Sequence, residues 1–126
     1  MDTQGWLIAV KVHPANWQDK TGLPYVLRRV PLFERWELLL LDGGYDSSAL
    51  SHYCEKVFGI RFEIVRRDPG QIGFKVLPKR WIVERTFAWL GKCRRLSKDY
   101  EHLPQTTENW IYLAMSHLML KQLSRN

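Results

Sequence analysis

Two carboxylates stand out by type and place. Asp42 ends an apolar run, and Glu84 sits in the middle of a helix-forming stretch. Carboxylate oxygens are hard ligands that suit Mg²⁺ or Mn²⁺. Two such ions about 4 Å apart can activate an attacking oxygen and stabilise a leaving one in phosphodiester chemistry. Each acid also has an ordinary reading. Asp42 heads Asp-Gly-Gly, a frequent turn sequence. Glu84 has Arg80 one helical turn before it and Arg85 beside it, and either could form a structural ion pair. Other polar residues carry less. Asp46 suits a helix N-cap, and His13 a hydrogen-bonded structural role. Asp19 lies in a loop without a special claim, and Asp2 is by position a frayed terminal residue.

The setting of Glu84 gives it weight. From Lys79 to Leu90 the spacing predicts a helix that is apolar nearly all round. Val83, Phe87 and Leu90 form one stripe, and Trp81, Ile82, Ala88 and Trp89 cover much of the rest. Such a helix is expected to be buried. A buried carboxylate needs an arginine, a metal ion or both. The flanks are basic: between Arg66 and Lys98 the only acids are Asp68 and Glu84. Arg80, Arg85, Lys92, Arg94 and Arg95 are therefore the candidate contacts to a DNA backbone. The net charge of +6 and the pI near 9.6 favour a polyanionic partner.

The elements that must position these groups can be read in order. Trp6 to His13 reads as a strand, β-branched and stopped by Pro14. Asn16 to Arg29 reads as a loop leading into a helix, with Tyr25, Val26 and Leu27 as buried candidates and Pro31 as its end. Trp36 to Asp42 is a short apolar run closed by Gly43-Gly44, which predicts a buried strand of a parallel or mixed sheet. Asp46 or Ser47 caps a helix running to about Val57, with Leu50, Tyr53 and Cys54 turned inward and Gly59 closing it. Arg61 to Arg66 alternates at period two and predicts a strand beside the leucine strand. A loop at 68–76 leads into the Glu84 helix, which is expected to reach about Leu96. Pro104 to Leu123 predicts an amphipathic helix capped by Thr106 or Thr107, with Trp110, Ile111, Leu113, Ala114, Leu118 and Leu120 as its packing surface. The expected class is a mixed α/β layer fold.

Composition narrows the function classes. At 126 residues and 45% hydrophobic content the chain is expected to form a single domain with a real core. Cys54 and Cys93 form no CxxC and no zinc spacing, so they read as free thiols of a reducing compartment. The sequence has neither a membrane-length apolar run nor a secretory leader pattern. The expected location is the cytoplasm.

Three stretches resemble the catalytic part of a bacterial insertion-sequence transposase of the DDE class. The first is Asp2-Thr3-Gln4-Gly5, followed by Val12-His13-Pro14-Ala15-Asn16-Trp17-Gln18-Asp19. The second is Leu41-Asp42-Gly43-Gly44-Tyr45-Asp46. The third runs from Arg80 to Leu90 and on through Cys93-Arg94-Arg95-Leu96 to Asp99-Tyr100-Glu101. The resemblance implies an RNase H-like mixed sheet flanked by helices, with the acidic triad Asp2, Asp42 and Glu84. It turns Asp2 from a frayed end into a proposed metal ligand. It also implies two Mg²⁺ (or Mn²⁺) ions, a water that cuts the element's ends, and a freed 3′-OH that attacks target DNA. Of the Tyr-x2-Arg-x3-Glu-x6-Lys signature of related transposases, Arg80 and Glu84 fit. Leu77 stands at the tyrosine position and Gly91 at the lysine position, with Lys92 one residue later. In that fold the first aspartate lies on the first strand, which here would be truncated just before Asp2, with no separate DNA-binding domain ahead of it. The expectation is an incomplete catalytic domain spanning 1–126, working with an upstream reading-frame product or a second copy. The rival expectation is an inactive remnant that only binds DNA.

Overall fold

The computed structural model describes residues 1–31, 36–66, 70 and 79–125. The loop expected at 68–76, apart from Gly70, and the signature position Leu77 lie outside the described residues. The described elements make a mixed α/β structure in two compact units, one formed by Met1–His13 with Pro78–Asn126 and the other by Pro14–Leu77.

The second unit is a βαβ arrangement preceded by a helix. Helix α1 is Asp19–Leu27, strand β1 Leu38–Leu41, helix α2 Ser48–Phe58 and strand β2 Arg61–Ile64. The two strands pair in parallel, with Leu38 opposite Arg61 and Leu41 opposite Ile64. A parallel pair cannot be joined by a tight hairpin, and α2 supplies the crossover. The period-two alternation expected of β2 is present: Phe62 and Ile64 are half-buried, and Arg61 and Glu63 exposed. Leu39, opposite Phe62, and Leu41 pack with it against Leu23, Leu27, Leu50 and Cys54. The fully buried strand expected from four leucines is not what forms. β1 is half-buried at most, and Leu38 is exposed. In α1 the buried side chains are Leu23 and Leu27, while Tyr25 points out, contrary to expectation. The helix runs through Pro24 at the loss of one backbone bond.

Helix α2 begins and ends as its sequence requires. The Ser47 hydroxyl accepts from the Leu50 N–H at 3.4 Å. Gly59 closes the helix at φ 65°, a left-handed conformation that favours glycine. The cap bond is long, so Ser47→Ala is expected to cost about 0.5–1 kcal/mol, at the low end for a lost cap. Thermal unfolding measures this directly.

The first unit holds helix α3, Arg80–Gly91, and helix α4, Pro104–Leu123, with a short 3-10 turn at Arg94–Leu96 between them. Three expectations change here. The segment 6–13 is not a strand: two of its backbone donors go to side chains of α4 instead of a neighbouring strand. Val10 N donates to Tyr112 Oη at 3.1 Å, and Val12 N to Glu108 Oε1 at 2.8 Å. Lys11 Nζ lies 3.3 Å from the same carboxylate oxygen. Helix α3 stops at Gly91, short of Leu96, and Cys93 already has extended backbone. Neither threonine caps α4. Its N-cap is Leu103 with Pro104 in the first turn, and Thr107 donates instead to Asp99 Oδ1 at 2.8 Å. Nor is α4 amphipathic as expected. Thr107, Glu108 and Met115 are buried, whereas Trp110, Leu113 and Leu120 are exposed.

Candidate active-site carboxylates

Asp2 sits in a tight turn of its own making. Its Oδ1 accepts from Gln4 N and from Trp6 N, both at 2.9 Å. The backbone closes the turn, with Asp2 N donating to Trp6 O at 2.9 Å and Gly5 N to Asp2 O at 3.1 Å. The expected frayed end is thus a small ordered motif. It rests on α3: the Thr86 hydroxyl donates to Gly5 O at 2.7 Å, and Arg85 Nη2 donates to Gln4 O.

Glu84 occupies the other side of α3. The buried stripe of this helix is Ile82, Thr86 and Leu90, not Val83, Phe87 and Leu90 as the spacing suggested. Val83 is exposed, Phe87 is 66% exposed, and Trp81 is half exposed. The Glu84 side chain is 64% exposed, so the premise of a buried carboxylate does not hold. The helix is apolar nearly all round without being enclosed. Glu84 pairs with Arg80 across one turn, Oε1 to Nε at 3.2 Å. An exposed i,i+4 pair of this kind contributes about 0.5 kcal/mol or less. Two helical positions separate Glu84 from Thr86, which is about 200° around the axis. Glu84 therefore faces away from the side of α3 that holds the Asp2 turn.

Arg85 is drawn into the same assembly. Its guanidinium lies 4.7 Å from the ring centres of both Trp81 and Trp89, one turn before it and one turn after. Trp6 stacks on Trp89 at 5.3 Å. These rings border an open hollow of about 400 Å³ that Thr3, Gln4 and Gln122 also line. Arg85, a candidate DNA contact by its sequence, has its guanidinium engaged within the unit. Periodicity signals the Trp81–Arg85–Trp89 spacing; no local pattern reveals that Trp6 extends it.

In the second unit, Asp42 caps the 3-10 turn Gly43–Tyr45 that follows β1, its Oδ1 accepting from Gly44 N at 3.0 Å. Both ordinary and chemical readings place it at the carboxyl end of a parallel strand, where sites of open α/β sheets collect. Asp19, which the sequence did not single out, comes to the same turn. A Cβ on Gly44 would lie 3.2 Å from Asp42 Oδ1 and 3.5 Å from Asp19 Oδ2. Burial, reinforced by the negative charges of Asp19 and Asp42, raises the Tyr45 hydroxyl pKa above its ordinary value. Asp46 forms a surface ion pair with Arg66 rather than a helix cap.

Of the other basic candidates, Arg80 holds Glu84, and Arg95 binds Glu101, Nε to Oε1 at 2.8 Å, with its guanidinium over Trp110. Lys92 and Arg94 are exposed. Asp2 and Glu84 belong to the first unit and Asp42 to the second. Among the described residues, no three His, Cys, Asp or Glu side chains within one unit gather as a metal cluster. The donors themselves fit a hard cation. All three acids are exposed, and the described hydrogen bonds and ion pairs of each use a single carboxylate oxygen.

The family model described as the transposase DDE domain matches residues 1–119, and the chain belongs to that family. Its general activity class is DNA transposition, its substrate is DNA, and such transposases use divalent metal ions. No curated protein and no solved structure matches the chain. No helix among the described residues is long and apolar enough to cross a membrane.

Proposed function

We propose that this chain is the catalytic part of a bacterial insertion-sequence transposase, a single RNase H-like domain spanning 1–126 that acts in the cytoplasm. Asp2, Asp42 and Glu84 are its catalytic acids and would hold two Mg²⁺ (or Mn²⁺) ions. When bound, such ions supply an activated water and stabilise the leaving oxygen of the cut strand. The chain's residues do the rest. Asp42 is held at a strand end by its own cap bond to Gly44. Glu84 stands exposed on a rigid helix, with Arg80 limiting its rotamers. Arg80, Lys92 and Arg94 offer their charge to the phosphates of transposon ends and target. Arg85 and Arg95 shape that surface from within.

The observation that carries this reading is the match to the DDE domain over residues 1–119, which includes all three acids. The test of the DNA surface is a gel-shift series on linear duplex. The binding constant is expected to fall with salt, and Lys92→Ala with Arg94→Ala is expected to lower the log–log slope by about 2. Absence of any shift at low salt would remove the DNA-binding surface from the proposal.

A further inference from the structure

Segment 6–13 has the composition of a strand and is bonded to a helix. Trp6-Leu7-Ile8-Ala9-Val10-Lys11-Val12-His13 is rich in strand-forming residues, and Lys11 is its only Lys, Arg, Asp or Glu. Its bonds to α4 keep the spacing of a strand pair. Val10 N and Val12 N, two residues apart, donate to Tyr112 Oη and Glu108 Oε1, four residues apart on α4. Two residues of extended chain advance about 6.6 Å, and four residues of helix about 6 Å. One face of α4 thus copies the acceptor spacing of a neighbouring strand. In extended chain, residues of one parity turn their N–H and C=O to the same side. Trp6 shares the parity of Val10 and Val12, and its carbonyl already accepts from Asp2 N at 2.9 Å. This edge is therefore bounded at one end by the Asp2 turn and at the other by Pro14, which has no N–H to give.

We propose that the edge carrying Ile8, Val10 and Val12 is a strand-pairing site for the same segment of a second copy, and that Glu108 and Tyr112 hold it shut. The register selects this occupant. Antiparallel pairing centred on Val10 sets Ile8 opposite Val12 of the second copy and Ala9 opposite its Lys11, so the two ammonium groups are not directly opposed. The same register sets Trp6 opposite Pro14, so a carbonyl already taken by Asp2 N faces a residue without a donor. The pairing exchanges two bonds to side chains for a ladder of backbone bonds. Closed, the same two side chains cover an edge that would otherwise invite pairing. The site stands apart from the reading of Asp2 as a metal ligand.

The test uses the 126-residue chain and a fluorescein-labelled peptide of its residues 6–13, followed by anisotropy, with sedimentation and thermal unfolding of each variant alongside. Tyr112→Phe keeps the ring and removes the acceptor of Val10 N. It is expected to bind the peptide about fivefold more tightly than the parent chain, the effect of losing one competing hydrogen bond. It is also expected to sediment as a dimer at concentrations where the parent is a monomer. Glu108→Gln weakens the second bond by removing its charge, and is expected to tighten peptide binding about two- to threefold. That variant decides the matter if Tyr112→Phe does not fold. A peptide N-methylated at the Val10 position lacks the central donor and is expected not to bind. A folded Tyr112→Phe or Glu108→Gln chain that binds the peptide no more tightly than the parent overturns the proposal. So does equal binding of the N-methylated peptide, which would place the contact in side chains rather than along the backbone edge. A Tyr112→Phe chain that binds the peptide but stays monomeric at all concentrations overturns the choice of a second copy as occupant.

Discussion

Glu84→Gln is expected to lower Mg²⁺-dependent cleavage of transposon-end duplex by about a thousandfold or more in the transposase that carries this chain. A carboxylate that shares a metal ion helps to stabilise charge worth several kcal/mol in the transition state. Each 1.4 kcal/mol lost is a tenfold loss of rate. The structure makes the result interpretable. Glu84 is mostly exposed, and its ion pair with Arg80 contributes about 0.5 kcal/mol or less. The variant should therefore unfold within a degree or two of the parent, so that lost cleavage reports chemistry rather than folding. Asp42→Asn should behave alike in cleavage, though it weakens the acceptor of the Gly44 N–H. Full cleavage by either variant would refute the triad.

The largest effect on stability is expected at Glu108, a residue outside the proposed triad. This carboxylate is 3% exposed. It accepts from Val12 N and binds Lys11, replacing the strand partner that the segment 6–13 lacks. Glu108→Ala removes an acceptor from a half-buried backbone donor and an anion from a half-buried ammonium. Losing one partner of a buried pair costs about 3–5 kcal/mol. Lys11 is 24% exposed and can turn partly to water, so about 3 kcal/mol is the better expectation. With a urea m-value of about 1–3 kcal/mol/M, the unfolding midpoint should fall by about 1–3 M. Glu108→Gln keeps an acceptor and should cost clearly less. A midpoint shift below about 0.5 M for the alanine variant would mean that α4 does not anchor the segment through this residue.

Local elements were legible where one short pattern decides them. Ser47 and Gly59 bracket α2 because a cap oxygen and a residue tolerant of positive φ act within one turn of chain. The alternation of Arg61-Phe62-Glu63-Ile64 marked β2 because side chains switch faces at each residue. Faces were less legible than elements. On α3 nearly every position is apolar, so periodicity could not distinguish the Ile82–Thr86–Leu90 stripe from Val83–Phe87–Leu90. The buried stripe proved to contain a threonine, whose partner, the Gly5 carbonyl, lies 81 positions away in sequence.

The family and the candidate acids are readable in short contiguous stretches of the chain. The stretches around Asp2, Asp42 and Glu84 are contiguous, and a contiguous pattern needs no folding to be read. Tertiary packing set which partners these side chains meet. It brought Asp19 to the Asp42 turn, placed Arg85 between two tryptophans, gave Glu108 the work of a missing strand, and fastened the Asp2 turn to the helix that carries Glu84. Each of these depends on hydrogen bonds or packing between residues distant in sequence. Such contacts are set by which backbone groups remain unpaired once local elements have formed, and that remainder has no signature in local spacing.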